Sequence, residues 1–219
     1  MTLLNRRGFA AGSMLLGLGL AGGLTATLAG CNSSATKVET EDMTLGDPKA
    51  PITMIEYASV ACPHCAAFNN DVWPEFKKKY VDTGKVYYVS REMLTGEPSV
   101  AAAGFLIARC AGKDKYFTVT DQIYHSQPEM FADRSVSGAR AVLQRIANSA
   151  GLSDEQFEKC INDTKALDEL NKRNQKYGTR DKIEGTPTFL MNGKQVADGE
   201  VTMAQMDAAV AATMADLKK

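Results

Sequence analysis

The chain has 219 residues and a formal net charge of −1, with 44% hydrophobic and 23% charged residues. This composition is typical of a globular protein and excludes the disordered, collagen-like and coiled-coil classes. The absence of a basic excess argues against nucleic acid as a partner. With only two histidines, His64 and His125, the sequence also argues against a His-rich metal enzyme.

Residues 1–30 are predicted to be an export signal. Arg6 and Arg7 precede an uncharged stretch rich in Leu, Ala and Gly, which is the pattern of a signal peptide. The stretch ends in Leu-Ala-Gly-Cys and resembles the lipobox of bacterial lipoproteins, in which the cysteine, here Cys31, is lipidated. Ordinary cleavage and an uncleaved membrane anchor are the alternatives. The run Asn-Arg-Arg-Gly-Phe resembles a twin-arginine export signal, with general secretion as the other route.

The polar residues 31–42 predict a flexible tether between Cys31 and a folded body. Residues 43–97 then predict the first part of an α/β domain. Its elements are a buried strand at 52–58, a helix from Cys62 towards Tyr80, and a second strand at 85–90. We expect Pro74 to kink or restart the helix, because proline cannot continue one without disruption.

Residues 98–182 predict an all-helical insert, since apolar residues recur there at helical spacing. The predicted apolar faces are Val100, Ala103, Ile107 and Cys110; Val136, Ala139, Val142, Leu143 and Ile146; and Phe157, Cys160 and Ile161. Residues 183–219 predict the second part of the α/β domain. It comprises a strand at 185–191, an Asn-Gly hairpin turn, a strand at 194–197 and a last helix. The face of that helix combines Met206, Ala209, Val210, Thr213 and Leu217.

The Cys62-Pro63-His64-Cys65 motif carries the strongest chemical signal. Two cysteines at this spacing, where a helix begins after a strand, can close a small disulfide, with Cys62 exposed in the first turn. The helix N-terminus and a protonated His64 would stabilise a Cys62 thiolate, which makes the disulfide a stronger oxidant. Half of a zinc site is the alternative. Zinc takes four ligands, however, and the sequence has no second pair of this kind.

Two further residues are candidates for the same site. Glu56 interrupts the first strand, where a partly buried carboxyl group would have a raised pKa and could relay protons. An edge or solvent-facing position is the alternative. Pro187 is expected at the start of a strand because it cannot donate a ladder hydrogen bond, and a cis Thr186–Pro187 bond is plausible there. An ordinary trans turn proline is the alternative.

The motif after a strand, the helical insert and the Gly-Thr-Pro-Thr-Phe segment together resemble the DsbA family of exported thiol-disulfide oxidoreductases, over residues 43–217. The resemblance implies an α/β, thioredoxin-like fold with an inserted all-helical subdomain. It also implies site roles, which are as follows: Cys62 the nucleophile, Cys65 its buried partner, His64 the residue that tunes the thiolate, Glu56 the buried acid, Pro187 the cis-proline, and Thr186 a backbone contact for substrate.

By the same resemblance, the chain donates disulfides to exported proteins with free thiols, without a metal or organic cofactor. A membrane re-oxidase of the DsbB type would restore the disulfide of the chain. The chain itself would be located in the periplasm or cell envelope. Thr186 is more typical of disulfide isomerases, but the span from Cys31 to the first strand is too short for their dimerisation domain, and Pro63-His64 favours an oxidase. The alternatives are a reductase or isomerase in cytochrome or copper-centre maturation, and a metal-carrier lipoprotein.

Cys110 and Cys160 are the remaining cysteines, and both fall on predicted apolar helical faces. In an exported chain we expect them to be bonded, because an oxidising compartment permits disulfides. Such a bond would contribute on the order of 4 kcal/mol in the chain-entropy model. Two buried free thiols are the alternative.

Overall fold

The structure, a computed structural model, describes residues 37–219. The predicted export signal, Cys31 with its predicted lipid, and the first part of the predicted tether lie outside the described residues. The described residues lie in one compact unit, so the helical insert shares its packing with the sheet.

Within this described part of the chain, a mixed sheet of five strands forms the centre. The strands are β1 (Met43–Leu45), β2 (Ile52–Ala58), β3 (Val86–Glu92), β4 (Thr188–Met191) and β5 (Lys194–Asp198). They lie in the order β1-β3-β2-β4-β5; β2 and β3 are parallel, and the other neighbouring pairs are antiparallel. Because β2 is the central strand, its side chains are covered on both faces of the sheet.

The helices of the described residues lie between the strands and after the last of them. They are α1 (Pro63–Ala67), α2 (Trp73–Phe76), α3 (Pro98–Cys110), α4 (Lys113–His125), α5 (Gln127–Met130), α6 (Val136–Ser149), α7 (Asp154–Ile161), α8 (Thr164–Arg180) and α9 (Met203–Asp216). π-helical turns at Phe68–Val72 and Lys77–Val81 continue α1 and α2. Pro74 lies in the first turn of α2, where its missing amide is tolerated, so the helix restarts there as expected.

The two faces of the sheet pack against different helices. On one face, Met54 and Phe189 share a buried cluster with Phe76 of α2 and Met206 of α9. On the other face, Tyr57, Val89 and Leu190 pack with Tyr177 of α8. A third cluster fills the helical insert and extends to both cysteines of the motif; it includes Phe105, Ile107, Tyr116, Leu143, Phe157, Cys62 and Cys65. The motif is therefore positioned by the insert as well as by the sheet.

The sulfur atoms of Cys110 and Cys160 form a disulfide, at 2.04 Å, that joins the end of α3 to α7. Cys160 is buried, but Cys110 is exposed and does not lie on the buried face that the helical spacing predicted. Its place at the last residue of α3 accounts for this, because the core no longer covers the helix there.

The described part of the predicted tether, 37–42, is not a free linker. Asp42 is buried in an ion pair with Arg91 of β3, and Glu39 forms ion pairs with Lys176 and Arg180 of α8. The prediction of a flexible tether is therefore wrong for these residues. It failed because the composition of a segment does not show that its polar side chains have ion-pair partners far along the chain. Strand β1, which follows directly, was also missed, since three residues are too few to show a period.

Two residues that were predicted on buried helical faces are exposed. Val136 is 58% exposed at the first residue of α6, and Leu217 is 53% exposed just after the end of α9. The spacing is helical at both positions, but the helix there extends past the core. The strands were predicted within a few residues, although the strand expected at 185–191 begins only at Thr188. Within residues 37–219, no helix is long and apolar enough to span a membrane.

Candidate active site

The loop that follows β2 places Cys62 at the start of a helix. Cys62 is the N-cap of α1, with extended backbone dihedrals, and its amide donates to the carbonyl of Ser59 at 3.0 Å. The amide of Gln127, in α5, donates to the carbonyl oxygens of Val60 at 2.8 Å and Cys62 at 3.1 Å. The helical insert thus fixes the backbone that carries the first cysteine.

Both cysteines of the motif are free thiols, and both are largely buried. Cys62 is 6% exposed and Cys65 is not exposed at all. Cys62 is therefore less exposed than predicted, because the insert and the loop before β4 cover most of the residue. Cys62 nevertheless remains the more accessible of the two sulfur atoms.

The surroundings move the pKa values of the two thiols in opposite directions. The pKa of Cys62 is lowered to about 5, first by a hydrogen bond from the Cys65 thiol, and then, against the opposing effect of burial, by the Thr186 side chain and by the backbone amides of Cys65 and His64. The pKa of Cys65 is raised well above its usual range, mainly by burial. At neutral pH the pair is therefore a thiolate on Cys62 beside a neutral Cys65.

The chain before β4 forms the second wall of the site. The Thr186–Pro187 peptide bond is cis, and the Cys62 thiol donates to the carbonyl oxygen of Thr186 at 3.3 Å. The two segments that sequence analysis singled out, the cysteine motif and the proline loop, are thus in contact. They are separated by more than 120 positions in the chain.

The His64 ring forms a contact with Glu200. Its Nδ1 atom lies 2.8 Å from Oε1 of Glu200, in the loop between β5 and α9, and the two side chains are 55% and 70% exposed. His64 acts on the Cys62 thiolate through its backbone amide.

Glu56 lies on β2, the central strand, and is only 3% exposed. This position excludes the edge and solvent-facing alternatives. The Tyr88 hydroxyl donates to Oε2 of Glu56 at 2.6 Å. Burial raises the pKa of Glu56 to about 7, the hydrogen bond from Tyr88 opposes that rise, and the negative charge of Cys62 adds to it. The carboxyl group can therefore bind or release a proton near neutral pH.

Two open clefts are lined by residues that contact the cysteine motif, Thr186 in one and Glu200 in the other. One, of about 550 Å³, is polar and is bordered by Lys182, Glu184, Thr186, Gln195 and Asp198. The other, of about 500 Å³, is more apolar and lies beside the His64–Glu200 pair; its lining includes Phe68, Val72, Glu200, Val201 and Met203. Both are large enough to receive side chains of a polypeptide.

Comparison with known proteins agrees with this geometry. Residues 38–212 match the protein family described as thioredoxin. The crystal structure of alpha-DsbA1 from Wolbachia pipientis superimposes with a TM-score of 0.73 at 27% identity, over 84% of this chain and 98% of that one. The chain is a DsbA-like member of the thioredoxin family. The thioredoxin-like fold with a helical insertion, expected from the sequence, is confirmed.

Other proteins similar to this DsbA-like chain carry related names. A Rickettsia conorii protein named as a protein-disulfide oxidoreductase is 35% identical over 162 residues, which cover 74% of this chain. That alignment spans 57% of the Rickettsia protein, so the chain matches little more than half the length of this relative. Disulfide bond formation protein D of Bacillus subtilis is 25% identical over 69% of this chain and 68% of its own length. BdbD of Bacillus subtilis shares the fold, with a TM-score of 0.66 at 19% identity over 80% of this chain and 93% of that one.

Sequence analysis missed several residues that the fold brings to the site. They are Ser59, Thr95, Gln127 and Glu200. Ser59 directly follows β2 and Thr95-Gly96 follows β3, so polar and glycine residues at strand ends were an available signal. No local pattern marked Gln127 or Glu200, because their contacts with the motif are purely tertiary.

Proposed function

We propose that the chain is an exported thiol-disulfide oxidoreductase that donates the Cys62–Cys65 disulfide to folding proteins with free thiols. The observation that carries the proposal is the split between the two thiols: the pKa of Cys62 is lowered to about 5, while that of buried Cys65 is raised. A stabilised Cys62 thiolate favours the reduced dithiol and so makes the disulfide an oxidant.

The reaction proceeds in two exchanges. A substrate thiolate attacks Sγ of Cys62 in the disulfide, forms a mixed disulfide and displaces the sulfur of Cys65. Because the pKa of Cys65 is high, the displaced sulfur takes up a proton. Glu56, with a pKa of about 7, is positioned to supply that proton through the interior of the site. A second substrate thiolate then attacks the substrate sulfur and releases Cys62 as a thiolate. The substrate loses two electrons, and the Cys62–Cys65 pair gains them.

Pro187 and Thr186 form the wall against which substrate would lie. The carbonyl oxygen of Thr186 already accepts a hydrogen bond from Cys62, so the backbone there is within reach of a polypeptide joined to that sulfur. The two clefts beside the motif provide space for the side chains on either side of the reacting cysteine.

Location and partners complete the proposal. The export signal at 1–30 would carry the protein to the periplasm or cell envelope, with twin-arginine export as one route and lipid on Cys31 as a membrane tether. Each catalytic cycle leaves a dithiol, so a re-oxidase is required, and a membrane protein of the DsbB type fits that need. Support for these assignments comes from the sequence and from the family.

The decisive experiment uses cysteine variants of the full chain. Cys62→Ser is expected to abolish disulfide transfer to a reduced, unfolded model protein, and Cys65→Ala to accumulate mixed disulfides that reductant releases. Cys31→Ser is the matched control and should keep transfer activity in solution. Retained transfer by Cys62→Ser, or no adducts with Cys65→Ala, would overturn the proposal.

A reductase is the rival within the same chemistry, and the equilibrium with a glutathione buffer separates the two. A reduction potential near the strongly oxidising end of the family, about −120 mV, supports a disulfide donor. A value near about −270 mV would identify a reductase, which needs an electron source in place of a re-oxidase.

A further inference from the structure

The loop between β3 and α3, residues 93–97, contacts both halves of the site. The Ser59 hydroxyl donates to the carbonyl oxygen of Thr95 at 2.8 Å, and the Ser59 amide lies 3.5 Å from Sγ of Cys65. On its other side, Thr95 reaches Thr186, whose carbonyl accepts from Cys62. The loop therefore contacts Ser59 and Thr186, and each of these residues contacts one of the two sulfur atoms.

Gly96 holds this loop directly against the cysteine motif. Its φ is +77°, and a Cβ atom there would lie 2.2 Å from the carbonyl oxygen of Ala61, the residue before Cys62. Only glycine fits such an approach without displacing backbone. The position of Thr95 relative to Cys62 is therefore set by backbone packing and does not depend on a flexible side chain.

The hydroxyl oxygens of Thr95 and Thr186 are 2.5 Å apart, and either can be the donor. Each hydroxyl carries a single proton. The Thr186 side chain is one of the groups that lower the pKa of Cys62, which it does by donating a hydrogen bond to the thiolate. When the Thr186 proton is used in this way, the Thr95 hydroxyl must be the one that donates between the two threonines.

We propose that Thr95 is a positioning residue, whose hydroxyl donates to Thr186 and thereby orients the Thr186 hydroxyl towards the Cys62 thiolate. When Cys62 is protonated, its thiol donates to the Thr186 carbonyl, and the hydroxyl of Thr186 is free to turn back to Thr95. The direction of hydrogen bonding in the threonine pair would thus change with the charge on the Cys62 sulfur. This inference rests on the proposed function, because it concerns how the site stabilises the thiolate that leaves at the end of transfer.

The test titrates the Cys62 thiolate of the reduced protein by its ultraviolet absorbance. Thr95→Val keeps the shape of the side chain and removes the hydroxyl, whereas Thr95→Ser keeps the hydroxyl. We expect Thr95→Val to lower the acid dissociation constant of Cys62 by about threefold to tenfold, the size of one lost hydrogen bond. The disulfide should become less oxidising in parallel, and Thr95→Ser should stay close to the unmodified chain.

A double-variant cycle with Thr186→Val separates positioning from general stability. If Thr95 acts through Thr186, Thr95→Val should add no further shift once Thr186 is valine. The proposal fails if Thr95→Val changes the free energy of unfolding but leaves the Cys62 titration unchanged. It also fails if the two shifts are additive, or if Thr95→Ser shifts the titration as much as Thr95→Val.

The titration needs no exchange activity, so this inference and the proposed function fail in different ways. A Cys62 midpoint near that of an ordinary thiol in the unmodified chain would remove the support for the proposed function. A low midpoint that Thr95→Val does not move would overturn the role of Thr95 alone.

Discussion

Arg91 and Glu56 are both buried on the central sheet, on opposite faces, and their surroundings compensate their charges differently. On one face, Arg91 is enclosed by the carboxylates of Asp42 and Asp181 and by the hydroxyl of Tyr57, at 2.8–3.3 Å. On the other face, Glu56 is held by the neutral hydroxyl of Tyr88. The difference shows in the pKa values. Burial opposes the charge on Arg91, but Asp42 and Tyr57 raise its pKa, whereas burial raises the pKa of Glu56 to about 7 and favours its neutral form.

The physical reason lies in how a buried charge is compensated. Desolvation penalises any charge, and an oppositely charged partner at hydrogen-bond distance offsets the penalty. Arg91 joins the segment before β1 to the end of α8, through Asp42 and Asp181, so its charge supports the fold. Glu56 lacks that compensation and lies in contact with a small cavity of about 30 Å³ beside Tyr88 and Tyr124. A group in that situation can exchange protons near neutral pH, which is the role proposed for Glu56 in disulfide transfer.

The largest expected effect comes from removing Arg91. Arg91→Met removes the cation that pairs with buried Asp42, whereas Asp181 keeps its ion pair with Arg180, and we expect the free energy of unfolding to fall by about 3–5 kcal/mol. Urea denaturation of the reduced protein measures it. Arg145→Gln, which breaks an exposed pair with Glu129, is the matched control and should cost less than about 1 kcal/mol. Equal losses in the two variants would contradict a structural role for the buried pair.

Removing the ionisable carboxyl group of Glu56 should have the opposite sign. Because folding raises the pKa of Glu56 from 4.5 to about 7, the folded protein keeps a proton that the unfolded chain has lost in this pH range. Its free energy of unfolding therefore falls as pH rises through that interval. Glu56→Gln is expected to stabilise the reduced protein by about 3 kcal/mol at about pH 8 and by almost nothing at about pH 4.

Denaturation at several pH values checks this slope, and Glu39→Gln is the control of opposite sign. Ion pairs with Lys176 and Arg180 lower the pKa of Glu39 to about 2 although burial opposes them, so its contribution is present above the ordinary carboxyl pKa and is lost as the solution becomes acidic. Glu39→Gln should therefore destabilise the protein at neutral pH. A pH-independent effect of Glu56→Gln would show that Glu56 is ionised in the folded protein.

The smallest effect is expected at the exposed pair beside the motif. Glu200→Gln removes a negative charge beside His64 and the cysteine motif, which should stabilise the Cys62 thiolate and raise the reduction potential. Both side chains are more than half exposed, so we expect a shift of less than about 30 mV that shrinks in high salt. Equilibration with glutathione at low and high salt measures it, with Glu129→Gln as control. A shift towards reducing potentials would contradict this account of the pair.

Much of the fold and the centre of the site were predictable because their signals are local. The apolar run at β2 and the Asn-Gly turn involve residues a few positions apart, and the structure contains both. The same holds for two helix-capping boxes, Ser153 with Gln156 and Thr202 with Gln205. The Cys62–Cys65 spacing is of the same kind. Predictions failed where local pattern and tertiary contact disagree, as for Val136 on a helical face that extends past the core.

The sequence by itself determined that a dithiol starts a helix behind a buried strand, because a helix start and a strand are encoded by neighbouring residues. Tertiary structure alone decided which groups surround that dithiol. Thr95 meets Thr186 across 91 positions, His64 meets Glu200 across 136, and Arg91 meets Asp181 across 90. Electrostatic and hydrogen-bond effects depend on distance in space, so the charge states of Cys62 and Glu56 follow from the folded chain and not from its local pattern.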